Sequence, residues 1–508
     1  MPWLTVTIFL PLGGVVALVA WPRMSDLAAR SITLVASLAT FAMAVGIFVN
    51  FDASAHGFQF VEDATWVDSI NLRYIVGIDG ISLFMVLLTT FLMPIAVVAC
   101  WRERDRIRAL MATLLLLEAT LLGVFLSLDL LLFFLFFEAM LFPAYMIIGG
   151  WGGERRAYAA IKFFLYTMAG SAFLFLGVLF LYFQAGSQFG EPTFDLRSLQ
   201  HLALPVVTAR WLFAAFLLAF AVKVPLVPLH TWLPDAYTES PAGGLVLIAG
   251  VLPKVAAYGL IRFNLRLFPE ASVYFADLVS ILALLAIVYG AIVALIQVDV
   301  KRLVAYSSIS HLGFVVLGIF ALNQQGVSGG VLEMVNHGLS TAALFLVVAM
   351  VAARTGTREF DRMGGLYRSG PALATAFLLV ALASLGLPGL NHFVGEFLVI
   401  LGTFAANRGF AVVAAIGIVL TAIYVLWAYQ RIMHGPVAPG LVPGQRLSPA
   451  VGAAPAPSVR RDLRPVEYTI LVPLILAILA IGVYPRPLLD RIGPSARQAN
   501  AIVHEGAR

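Results

Sequence analysis

The chain has 508 residues, of which 61% are hydrophobic and only 12% charged, against roughly 45–50% and about 25% in soluble domains. A water-soluble globule is excluded. A net charge of +5 does not point to nucleic acid, because the 28 Arg and 4 Lys must first be placed relative to a bilayer, and the single cysteine, Cys100, excludes a disulfide or a thiolate metal cluster built from this chain alone.

Taken in chain order, apolar runs long enough to cross a hydrocarbon core about 30 Å thick occupy 2–20, 31–50, 78–100, 109–127, 130–149, 158–184, 209–230, 243–262, 273–297, 302–322, 329–353, 371–404, 410–433 and 466–484. This predicts an all-α polytopic membrane protein of about 14 transmembrane helices. The first run has no basic leader region and no small-residue cleavage site, so it reads as a helix retained near Met1 and not as a removed signal. The turn Ser127-Leu128-Asp129 separates the fourth and fifth spans, and its existence fixes the direction of every later crossing. Span seven carries Pro225 and Pro228 directly after Lys223, and span twelve carries Leu387-Pro388-Gly389. Proline removes a backbone donor and glycine opens the chain, so both helices are expected to be discontinuous, as in transporters. The Pro- and Ala-rich stretch 434–465 reads as a cytoplasmic linker before the last span.

Odd-numbered loops carry 20 Lys and Arg, even-numbered loops six and the C-terminal tail four. By the positive-inside rule both termini should face away from the cytoplasm. Glu138 to Lys223 spans 85 residues and His311 to Glu396 spans 85 again, which suggests two inverted five-helix repeats. The resulting divisions are 1–108, three N-terminal helices; 109–262, the first repeat; 273–433, the second; 434–465, the linker; and 466–508, the last helix and tail.

The chemistry-bearing residues are few: Glu138, Lys223, His230, Lys254, His311, His337 and Glu396, with Glu118 and Glu333 as secondary candidates. An ionisable group at the centre of a membrane helix costs about 2.5–3.5 kcal/mol and faces the protein interior. Repeated so often in one chain, that cost indicates a proton path. Desolvation favours the neutral forms of a Lys and a Glu while proximity favours the charged forms, so moving Glu138 toward or away from Lys223 would switch the lysine's proton. Each pKa unit is worth about 1.4 kcal/mol, and one charge crossing 100 mV costs about 2.3 kcal/mol, so a swing of a few units suffices. A static ion pair joining two helices is the competing reading, but Lys254 leaves two lysines against one evident carboxylate. No His-x-x-Glu, His-x-His or His-Glu-x-x-His spacing favours a metal. Gly149 to Gly153 follows a membrane helix and not a strand, so it reads as a turn and not as a phosphate loop, and Arg102 to Arg108 reads as a topology anchor.

The run Phe220-Ala221-Val222-Lys223-Val224-Pro225-Leu226-Val227-Pro228-Leu229-His230-Thr231-Trp232-Leu233-Pro234-Asp235-Ala236 resembles the signature of the antiporter-like membrane subunits of respiratory complex I, the proton-translocating NADH:quinone oxidoreductase. Supporting segments are 128–153 around Glu138, Gln297 to Phe314, Asn336-His337-Gly338-Leu339-Ser340, Gly386 to Glu396 and Gly482-Val483-Tyr484-Pro485. A carboxylate at 396 resembles the M, or subunit-4, type, where sister types generally carry a lysine. Glu239 to Gly244 departs from the usual Ala-Pro-Thr-Ala-Gly pattern, and Pro253 before Lys254 is unusual.

The resemblance implies that Glu138 and Lys223 form the modulating pair, Lys254 the central carrier and Glu396 the exit-side group, with His230, His311 and His337 bridging them. It implies no cofactor in this chain, with FMN, iron–sulfur clusters and quinone in partner subunits. It further implies L-like, N-like and K-like membrane neighbours, a peripheral arm, and a bacterial inner-membrane location. Two alternatives remain at this stage: a subunit of a multisubunit cation/proton antiporter driven by an ion gradient, and a structural spacer whose buried pairs are inert.

Overall fold

A computed structural model of the chain describes residues 2–21, 23–55, 57–436 and 462–506. Most of the 434–465 linker therefore lies outside the described residues. Among the described residues, thirteen helices are long and apolar enough to cross a membrane, and two shorter apolar helices, Pro371–Ser384 and Asn391–Ala406, read as the halves of one more crossing. The predicted fourteen crossings are all present.

The bundle opens with α1 (Trp3–Ala20) and α2 (Asp26–Asn50), then a hairpin of β1 (Gln59–Val67) and β2 (Leu72–Ile78), followed by α3 (Gly80–Ala99) and α4 (Ile107–Leu126). Span five is α5 (Leu130–Ala139) plus α6 (Leu141–Trp151), and α7 (Arg156–Phe189) is span six. A short α8 (Leu196–Leu199) leads to span seven, α9 (Val206–Lys223), and to the detached α10 (Trp232–Glu239). Span eight comprises α11 (Ala242–Gly250), α12 (Leu252–Gly259), a π-helical turn at Leu260–Asn264 and α13 (Leu265–Leu267), and α14 (Pro269–Tyr274) links it onward. Spans nine to eleven are α15 (Ala276–Leu295), α16 (Val300–Phe320) and α17 (Gln324–Thr355). Span twelve is α18 (Pro371–Ser384) plus α19 (Asn391–Ala406), and α20 (Arg408–Tyr429), α21 (Pro465–Val483) and the surface helix α22 (Arg486–Gly506) complete the chain.

The hairpin marks one end of the bundle. The backbone N–H of Leu4 donates to Glu62 of β1 at 2.7 Å, and Gly80 N–H donates to Ser495 Oγ of α22 at 3.0 Å. Both chain ends therefore meet at the hairpin end, as an even number of crossings requires. The decisive turn after span four is stapled there too: Leu128 N–H bonds the Ile75 carbonyl of β2 at 2.9 Å, and Asp129 caps α5 through the Leu131 and Leu132 N–H groups. Spans four to eight and nine to thirteen start at opposite ends of the bundle, and each unit is interrupted in its fourth span.

The expected breaks in spans seven and twelve are present, and there are two more. Pro143 and Pro253 lack the N–H groups that a continuous helix would aim at the Ala139 and Ala249 carbonyls, and the helices part at Met140 and Val251. The hairpin is also an addition to the all-helical expectation. It runs antiparallel with Gln59 opposite Ile78 and turns through Asn71, whose φ of 46° places it in the left-handed region that Asn tolerates. The core centres on α11, α12, α16 and α17, whose side chains are almost all buried, whereas α1, α2, α20 and α21 present broad apolar faces outward.

Candidate functional site

Span seven stops at Lys223 for a backbone reason. Leu226 N–H reaches back to the Ala221 carbonyl at 2.9 Å, which leaves the Val222 carbonyl to accept Trp232 Nε1 at 2.7 Å. Lys223, the last residue of α9, is fully buried, and its Nζ donates to the Phe137 carbonyl at 3.0 Å. The same Nζ lies 3.1 Å from the centre of the Phe137 ring and 3.6 Å from Glu138 Oε1. Glu138 belongs to the last turn of α5, two residues before the Met140 break, and is 25% exposed. The predicted pair is thus formed, but at ion-pair and not hydrogen-bond distance. A strong backbone acceptor holds the ammonium while the carboxylate stays free to move.

Lys254 sits just beyond the Val251 break, also fully buried. Its Nζ takes up the Ala249 carbonyl that Pro253 leaves unpaired, at 2.7 Å, and contacts His337 Nδ1 at 2.7 Å. Two glycines permit that approach. A Cβ on Gly338 would fall 2.8 Å from the Gly250 carbonyl oxygen, so α11 and α17 cross backbone against backbone beside the lysine.

His337 leads into a cluster. Its ring centre is 5.9 Å from that of His311, which in turn is 4.8 Å from that of His392. His311 Nδ1 lies 3.3 Å from Glu396 Oε1 and 3.8 Å from Glu333 Oε1, and His392 Nδ1 lies 2.6 Å from Glu333 Oε1. All four side chains are buried. Asn336 steadies the group by donating to Glu333 Oε2 at 3.5 Å and to the Asn391 carbonyl at 2.8 Å, and Asn391 Nδ2 reciprocates to the Asn336 carbonyl at 3.1 Å. One ligand atom from each of His311, Glu333, His392 and Glu396 lies within 4.8 Å of the others. Such a set can share protons or hold one divalent cation. It is assembled from α16, α17 and α19, and only His392 and Glu396 are close in sequence.

The predicted residues therefore fall into one pair and one continuous group. Glu138 meets Lys223; Lys254 touches His337, whose ring neighbours that of His311 without a hydrogen bond, and His311 lies against Glu396. Glu333, a secondary candidate, joins the second group, and His392 was missed. Its signal was available: His392 and Glu396 are four residues apart on one helix, directly after Pro388-Gly389. His230 stands apart from both groups, its ring 5.0 Å from that of Tyr289 and its Nδ1 without a hydrogen-bond partner. Glu118 is buried in α4, and among the described residues neither of its carboxylate oxygens has a hydrogen-bond partner. Lys223 and Lys254 share no hydrogen-bonding partner among the described residues. Phe133, Phe137, Phe220 and Phe263 pack edge to face in the first unit beside Lys223.

Outside the membrane, the hairpin end carries its own charges. Burial pushes the Asp129 carboxyl up to about 7, against the N–H bonds it accepts from Leu132, Arg73 and Leu131. At Asp63 partial burial raises the carboxyl, but hydrogen bonds from Arg197 and Arg73 outweigh it and hold the group below the usual carboxylate range.

Residues 127–421 match the family described as NADH:quinone oxidoreductase/Mrp antiporter, TM. The NADH-quinone oxidoreductase subunit M of Rhodobacter capsulatus is 42% identical over 97% of this chain and 95% of its own length. Subunit M of Mycobacterium tuberculosis is 40% identical over 99% and 95%. Among solved structures, a chain of respiratory complex I from Thermus thermophilus with bound NADH superposes with a TM-score of 0.86 at 31% identity, covering 98% of this chain and 99% of that one. A chain of the Mrp complex from Dietzia shares the fold with a TM-score of 0.82 at 22% identity, covering 99% of each. This chain belongs to the NADH:quinone oxidoreductase/Mrp antiporter family of membrane subunits.

Proposed function

We propose that the chain is one proton path of a redox-driven NADH:quinone oxidoreductase, with electron transfer carried out by other subunits. The observation that carries this reading is the succession Lys254, His337, His311 and the Glu333/His392/Glu396 cluster across four helices, with Lys254 and His337 2.7 Å apart, the His337 and His311 ring centres 5.9 Å apart, and His311 3.3 Å from Glu396. Every member can gain or lose a proton, and the two 2.7 Å contacts of Lys254 offer it one fixed backbone acceptor and one exchangeable imidazole. Glu138 and Lys223 act as the modulating pair: the carboxylate, a quarter exposed, moves against an ammonium that the Phe137 carbonyl keeps in place. Glu396 and its neighbours form the exit-side store. His230, at the broken end of span seven, serves the entry side.

The relatives named as subunit M support the complex I setting over a gradient-driven antiporter, whose Mrp counterpart supports only the fold. In this setting FMN, iron–sulfur clusters and quinone belong to partner subunits, the membrane neighbours are L-like, N-like and K-like, and a peripheral arm supplies the redox drive. The excess of Lys and Arg at the end opposite the hairpin supports a cytoplasmic location for that end, with both termini on the other side. The test is proton pumping by sealed membrane vesicles bearing Lys254→Met or Glu138→Gln. Both variants should assemble and lose coupled pumping; unchanged protons per NADH in both would overturn the reading. Flavin and iron–sulfur absorbance in the native complex separates it from the antiporter alternative, and loss of stability without loss of transport would favour an inert spacer.

A further inference from the structure

The detached helix α10 is too short to span anything, yet it touches both units. Its first residue, Trp232, binds the Val222 carbonyl at 2.7 Å, next to Lys223. One turn later Asp235 accepts Lys162 Nζ of α7 through Oδ2 at 2.7 Å, and Arg302 Nη1 of α16 approaches Oδ1 at 3.4 Å. Lys162 belongs to the first unit. Arg302 belongs to the second, in the opening turn of the helix that carries His311.

One carboxylate therefore serves two cations from two units, tightly on one side and loosely on the other. If α10 follows the end of α9, the division between those cations changes, and α16 feels the difference at its first turn. At membrane depth Lys223 and Lys254 share no partner, so this edge contact is a direct side-chain link from the break beside Lys223 to the second unit. We propose that Asp235 is a positioning residue that couples the units, transmitting the opening of the Glu138–Lys223 pair through α10 to the helix bearing His311. The proposal rests on the proton-path reading above, and adds to it how one unit informs the next.

The test uses the assembled complex in membranes, with NADH oxidation by an artificial acceptor as the assembly control. Asp235→Asn should lower protons pumped per NADH about fivefold or more, the lower end of coupling between sites, and Asp235→Glu should restore most of it. Arg302→Gln, which breaks the contact from the other unit, should reproduce the loss. Hydrogen exchange supplies the readout that a merely structural residue would not move. Glu138→Gln should change exchange at the Lys301 and Arg302 amides, which Asp299 caps, and Asp235→Asn should erase that change. Persistence of the change in the double variant, its absence in Glu138→Gln alone, or normal pumping by Asp235→Asn while Lys254→Met pumps nothing would overturn the coupling and leave the proton path standing. Normal pumping by Lys254→Met would instead overturn the path itself.

Discussion

Gly338→Ala tests whether the Lys254–His337 contact is a working step. The added Cβ would sit 2.8 Å from the Gly250 carbonyl oxygen and 2.6 Å from Leu88 Cδ2. The leucine can turn away, but the carbonyl is backbone and cannot. Restoring an ordinary contact needs α11 and α17 to separate by about half an ångström, a strain of the kind that costs roughly 1–3 kcal/mol in a packed core. The same displacement stretches the 2.7 Å contact between Lys254 and His337 toward the limit at which hydrogen bonds fail. A hydrogen bond to a charged group is worth about 1.5–3 kcal/mol, and each 1.36 kcal/mol is tenfold in rate, so proton delivery should slow by about 10- to 100-fold. The assay is NADH-driven acidification of sealed vesicles, normalised to electron transfer, with Gly13→Ala as control because nothing lies within 4 Å of its added Cβ. A Gly338→Ala complex that assembles and pumps like the control would refute the reasoning.

Three further outcomes follow from the geometry. His392→Ala removes the imidazole 2.6 Å from Glu333 and should reduce pumping about 100-fold, the lower end of the range for a positioned acid–base group, without loss of assembled complex. Arg262→Met strands Asp79, whose Oδ1 lies 2.8 Å from the guanidinium in a site 4% exposed. An orphaned buried partner costs about 3–5 kcal/mol, so thermal stability should fall and the added change Asp79→Asn should recover part of it. Asp129→Asn tests pH linkage. With its carboxyl raised to about 7 in the folded chain, wild type binds more protons folded than unfolded between the usual carboxylate range and pH 7, so this group's contribution favours folding at low pH and is lost as pH rises through 7. The melting temperature of the variant relative to wild type should therefore climb from pH 4 to pH 7 and then level off; a difference that stays flat would contradict the burial of this carboxyl.

Hydropathy and the Lys and Arg distribution sufficed for the crossings, because an apolar run of membrane length has few other stable forms. They were weaker at ends: span two begins at Asp26, where Ser25 caps it, five residues before the apolar run starts. The hairpin was legible in principle from Gln59–Val67 and Leu72–Ile78 around Asn71, but short strands outside the membrane are easily passed over beside long apolar runs. Proline gave the breaks in spans seven and twelve; Pro253 stood out beside Lys254 without being tied to a break, and Pro143 lies inside an apolar run that hides its missing donor. The buried Lys, Glu and His stood out by their cost in lipid. Their grouping did not: Lys254 and His337 are 83 residues apart, and only the crossing at Gly250 and Gly338 unites them.

Both lysines rest on peptide oxygens, Phe137 for Lys223 and Ala249 for Lys254, each within a turn of an interrupted helix. Such ligands are genetically silent. No replacement at Phe137 or Ala249 deletes the oxygen itself, so drift at those two codons can alter shape while the ammonium keeps its host. For Lys254 the vulnerable letter lies elsewhere, in Pro253: restoring an N–H at that position would give the Ala249 oxygen a rival suitor and loosen the cation without touching it.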